Sequence, residues 1–107
     1  MSLRDRYADH LTTFHEQASA QITHQVSRDN HGTLRSLDIS EDEQGVWAEA
    51  VIDLHGDVVA RWGSEVYKRR NLIILNEGGP LDDAAFGADL FSTAVMEDLD
   101  TSGRQPG

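Results

Sequence analysis

The sequence predicts an α+β domain: a long N-terminal helix, an antiparallel meander of three or four strands and a C-terminal helix, with the helices on one face of the sheet. Three observations carry this reading. Apolar residues recur at steps of three and four over residues 3–26, at every second position over residues 46–54, and at helical spacing again over residues 84–99. With 107 residues there is room for one domain. It is expected over residues 1–100, with the small polar stretch 101–107 as a disordered tail.

The first helix carries Leu3, Tyr7, Leu11, Phe14, Ala18, Ile22 and Val26 on one stripe, and Asn30 and Gly32 close it. Unbroken over residues 2–27 it would be roughly 39 Å long, about the width of the whole domain. Its stripe also drifts, because the mean step exceeds the 3.6 residues of a helical turn. A break near residues 18–21, or a homodimer formed through this helix, would each accommodate the drift. Residues 34–39 read as a short strand, and SEDEQG as a polar turn ending at Gly45. In the next strand Val46, Ala48, Ala50, Ile52 and Leu54 share one face, with Trp47, Glu49, Val51 and Asp53 on the other.

His55-Gly56 suits a two-residue hairpin loop, after which Val58, Ala60 and Trp62 would line a return strand that bends at Gly63. The run Leu72, Ile73, Ile74, Leu75 has the density of a central strand. Such a run invites aggregation, and Lys68, Arg69, Arg70 and Glu77 flank it as charged gatekeepers. A competing reading joins the basic triplet to Arg61, Trp62 and Tyr67 as an anion or nucleic-acid site. Pro80, Asp82 and Asp83 mark the start of the last helix, whose core face takes Leu81, Ala84, Ala88, Phe91, Val95 and Leu99.

Composition narrows the function classes. The chain has no Cys, which removes disulfides, thiolate zinc sites and a cysteine nucleophile. Neither a signal-peptide core nor an apolar run of about 18 residues is present, so no membrane association and a cytoplasmic location are expected. The net charge is -10. Residues 38–65 hold eight acids against Arg61, and residues 77–100 hold seven acids and no base. This field repels phosphate backbones, so direct nucleic-acid binding is disfavoured and a basic protein surface is attracted. Solubility alone would also explain such acidity.

No motif demands a cofactor or a metal. His10, His15, His24, His31 and His55 include no pair at i, i+4; His10 and His24 would lie roughly 21 Å apart along one helix. The chain lacks the G-x-S-x-G elbow and the P-loop pattern, and no carboxylate pair stands in an apolar setting. The informative surface is the outward side of the last helix. Asp82, Asp89, Glu97 and Asp100 fall within an arc of roughly 80°, with Phe86 inside it and Leu90 at its edge. Acids at the helix C-terminus oppose its dipole, so local stability does not select them. An apolar anchor in a charged rim is how many interfaces are built, although Phe86 could instead pack beneath the first helix.

The expectation is a small acidic binding module without catalytic activity, an inhibitor of the immunity or phage anti-defence type that occupies a basic surface of a nucleic-acid-handling protein. A dimeric acidic chaperone for a secreted protein is the first alternative. A ligand-binding domain or enzyme with a pocket between sheet and helices, using Trp47 or Trp62 with His55, is the second.

Overall fold

A computed structural model describes residues 2–101. The elements run α1 (Leu3–Arg6), α2 (Ala8–Arg28), β1 (Gly32–Glu41), β2 (Gly45–Leu54), α3 (Asp57–Trp62), β3 (Val66–Leu75), β4 (Gly79–Pro80) and α4 (Ala84–Thr101). Thr101 closes α4, and the rest of the expected tail lies outside the described residues. The α+β class is as expected, with the four strands in one antiparallel sheet of order β1-β2-β3-β4.

The N-terminal helix does break, at Tyr7 (φ -112°, ψ 32°) instead of near residues 18–21. Ser2 Oγ accepts from the Asp5 amide at the start of α1, and the Glu41 carboxylate accepts from the Leu3 and Arg4 amides, which fastens the short helix to the end of β1. That break absorbs the drift of the stripe, leaving α2 as a 21-residue rod of roughly 31 Å. Leu3, Leu11, Phe14, Ala18, Ile22 and Val26 are all buried by the chain itself, so the premise for a homodimer through this helix falls away. α2 ends in a Schellman motif. Asn30 sits at φ 57°, the His31 amide donates to Val26 O (2.9 Å), and the Asn30 amide donates to Ser27 O (3.2 Å).

The alternation in β2 is as read: Val46, Ala48, Ala50 and Ile52 are fully buried on the helix side. The opposite face of the sheet carries Trp47, Glu49, Val51 and Asp53, which pair across with Leu72, Arg70, Lys68 and Val66 of β3. No helix among the described residues covers it, as is common for antiparallel sheets, and it mixes charged residues with apolar ones. Arg70 stacks on Trp47 at 3.8 Å, and Arg35 pairs with Asp53.

Residues 57–62 form a helix, α3, instead of the expected return strand. Gly56 (φ 73°) admits the chain to it and Gly63 (φ 69°) ends it, its amide donating to Val59 O (2.8 Å). The return strand is β3, which extends the expected run at 72–75 back to Val66, so the basic triplet lies within the strand. Pro80 belongs to β4, opposite Ile74, and Leu81 stands outside the helix and 51% exposed; neither takes its expected place in the last helix or its core face. Asp83 makes the N-cap instead, its Oδ1 accepting from the Phe86 amide (3.0 Å). Ala88, Phe91, Val95 and Leu99 are buried as expected, with Phe91 against Phe14 at 5.8 Å between ring centroids. The chain measures 44 × 27 × 19 Å.

Candidate functional site

Two polar ties lock α4 in place and decide which of its side chains are left for a partner. Gln21 of α2 donates to Asp89 Oδ1 (2.6 Å), and Ser92 Oγ donates to Gln21 Oε1 (2.6 Å). This chain fixes the flank of α4 that faces α2. On the other flank Tyr67 OH and Arg69 Nη1 of β3 both donate to Asp98 Oδ2, at 2.6 and 2.5 Å. With the buried stripe facing inward and these two flanks held, the remaining arc around Phe86, Leu90 and Glu97 faces outward. Phe86 is 53% exposed and Leu90 47% exposed, so Phe86 does not pack beneath the first helix.

The six residues singled out in the sequence separate into two groups. Asp82, Phe86, Asp89 and Leu90 cluster at the N-terminal end of α4. A Cβ placed on Gly87 would lie 3.7 Å from Asp82 Cβ, so Asp82 stands against the first turn of α4. Leu81, which the wheel assigned to the core, is also exposed, just before the helix begins. Glu97 and Asp100 lie 11 and 14 residues beyond Phe86, roughly 16 and 21 Å along the axis. They do not belong to one compact site with it.

The C-terminal acids have a structural use that the dipole argument missed. Arg61 Nη1 donates to the Leu99 and Asp100 carbonyls (3.1 and 3.3 Å), neutralising the negative end of the helix. His31 Nε2 lies 3.4 Å from Asp100 Oδ1, and Arg69 pairs with Asp98. Side chains from α3, β3 and the α2–β1 turn thus gather where the carboxylates stand. Burial, then the neighbouring Asp98 carboxylate, holds the Tyr67 phenol well above its ordinary pKa, so it stays a proton donor to Asp98.

The competing anion site is not assembled. Tyr67 is buried and Trp62 packs on the core with its ring 5.2 Å from Tyr67, while Arg61 and Arg69 are spent on α4. Lys68 and Arg70 point to the other face, where Arg70 donates to Asp42 Oδ2 (3.3 Å). The Asp42 carboxyl is held below the usual range, first by the Trp47 indole N–H and then by the Gln44 and Gly45 amides. Trp47 and Trp62 therefore stand on opposite faces of the sheet. Among the described residues, no three His, Asp or Glu side chains are grouped to hold a metal ion. No helix among them is long and apolar enough to cross a membrane. No protein-family model, curated protein or solved structure matches the chain.

Proposed function

We propose that the protein is a non-enzymatic docking module that uses the N-terminal half of α4 to occupy a basic surface of another protein. One observation carries this reading: Leu81, Phe86 and Leu90, three of the most exposed large apolar side chains, lie together in a 24-residue segment, 77–100, that has seven acids and no base. Apolar anchors supply burial on docking; the acidic surroundings steer a cationic partner and oppose contact with a second copy of the same face. Proteins that handle nucleic acids are basic where the nucleic acid sits, so an inhibitor of such a protein, of the immunity or anti-defence type, is the class proposed. The acids are too sparse to trace a phosphate backbone, so blocking by occupation is proposed and not mimicry.

The test is capture from the native host with the wild-type chain and with Phe86→Ala as baits, followed by a nucleic-acid binding assay on the captured protein. The wild-type chain should retain a basic partner at low salt, release it as salt rises, and displace nucleic acid from it, while Phe86→Ala weakens retention at least tenfold. Equal capture by the two baits, or a partner whose nucleic-acid binding is untouched, refutes the proposal.

A further inference from the structure

A second surface with features of its own lies along β1, apart from the acidic face of α4. The Asp42 amide donates to Gly45 O (2.9 Å), so the even-numbered residues over 36–42 turn their backbone groups towards β2. The odd-numbered residues Leu37, Ile39 and Glu41 turn theirs outward, to an edge with no neighbouring strand among the described residues. His15 corroborates this: its Nε2 lies 2.6 Å from Leu37 O, so that nitrogen carries the proton and fills the first outward acceptor. Beyond it the Ile39 and Glu41 groups remain, the kind of row onto which another strand can be added.

Beside this edge runs an open groove of about 530 Å³, lined by Ala8, Leu11, Thr12, Glu16, Ile39 and the α1 residues Arg4 and Asp5. It spans the break at Tyr7, taking lining residues from both α1 and α2. His15 on Leu37 closes one end, and the tie from Glu41 to the α1 amides closes the other. Between Leu37 and Glu41 the open stretch is roughly 13 Å, the length of about four extended residues. Ala8, Leu11 and Ile39 provide an apolar floor, and Asp5 and Glu16 outnumber Arg4 in its lining.

We propose that this groove binds a short, extended, cationic polypeptide segment, which adds as a strand to the Ile39–Glu41 edge and sets an apolar side chain against Leu11 and Ile39. Main-chain bonding gives the affinity, the floor selects alternating apolar residues, and the surrounding carboxylates select lysine or arginine between them. The proposal is independent of the α4 face.

Its test is amide hydrogen exchange, with binding measured by titration, using a blocked pentapeptide that alternates lysine and valine. The Ile39 and Glu41 amides should gain protection. Affinity should fall at least tenfold when the peptide's central amides are N-methylated, and also with Ala8→Trp, which fills the groove from an exposed position. Phe86→Ala should leave it unchanged. The proposal is overturned if the two amides stay unprotected, or if the N-methylated peptide or a lysine–serine peptide of equal charge binds as well. Protection of these amides that grows with protein concentration in the absence of peptide would give the edge to a second copy of the chain, and overturns it equally.

Discussion

Asp98 shows how a single carboxylate reads differently on a wheel and in a fold. On the wheel it adds negative charge to the wrong end of a helix; in the fold it receives Tyr67 and Arg69 and joins α4 to β3. Asp98→Ala leaves a partly buried guanidinium and a buried phenol without their acceptor. The Asp98 and Arg69 side chains are each about a third exposed, which softens the loss, so a cost of about 1–3 kcal/mol in urea unfolding is expected. Tyr67 gives the tie a pH signature. Below about pH 10, the ordinary phenol value, folded and unfolded chains both keep the proton and its stabilisation is whole. Above that the unfolded chain ionises first while the folded chain holds its proton at a raised pKa, so stability falls as the pH climbs, by up to about 1.4 kcal/mol per unit. Tyr67→Phe should flatten this alkaline limb by as much as one proton, and an unchanged slope of urea midpoint against pH above about pH 10 would contradict the assignment.

At the scale of elements, two glycines with positive φ have unequal reasons for being glycine. A Cβ on Gly45 (φ 149°) would stand 1.9 Å from Ile74 O, a backbone atom of the paired strand, whereas nothing lies within 4 Å of one on Gly63 (φ 69°). Gly45→Ala must part β2 from β3 and should cost more than about 3 kcal/mol, while Gly63→Ala carries only the left-handed strain of about 1 kcal/mol. Comparable denaturation midpoints for the two variants would contradict this account. The same segments show where sequence reading succeeds. Nine residues of alternation in β2, broken only by buried Val51, and the long stripes of α2 and α4 repeat enough turns for the period to be unambiguous. Residues 57–62 do not: Val58, Ala60 and Trp62 satisfy a strand, Val58 and Trp62 equally satisfy one helical turn, and six residues cannot separate the two periods. The flanking Gly56 and Gly63 were the available signal, the first as an entry and the second as a left-handed cap. The break at Tyr7 carries no Gly or Pro and follows from how α1 meets Glu41, a contact 37 or 38 residues distant in sequence.

For the whole molecule, the question is why a chain with exposed Phe86, Leu90 and Leu81 should stay dispersed. The place of Phe86 opposite the buried stripe, and the acids near it, were legible in the sequence; whether the first helix covers it is decided by the fold, which leaves it 53% exposed. The assignment of Asp89 to Gln21 and of Asp98 to Arg69 was not legible, since both are contacts between elements distant in sequence. A face with anchors and only negative charge presents the same sign to its own copy under any two-fold arrangement. At low ionic strength, with a Debye length of about 10 Å at 0.1 M salt, a net charge of -10 should therefore keep the protein monomeric. Near 1 M sodium chloride the length shrinks to about 3 Å and the repulsion is lost, while the apolar attraction remains. Sedimentation should then show self-association that Phe86→Ser with Leu90→Ser removes, at no cost in folding stability beyond about 0.5 kcal/mol because neither side chain belongs to the core. A chain that stays monomeric in high salt, or one whose association survives the double substitution, would show that the carboxylates are not what restrains this face.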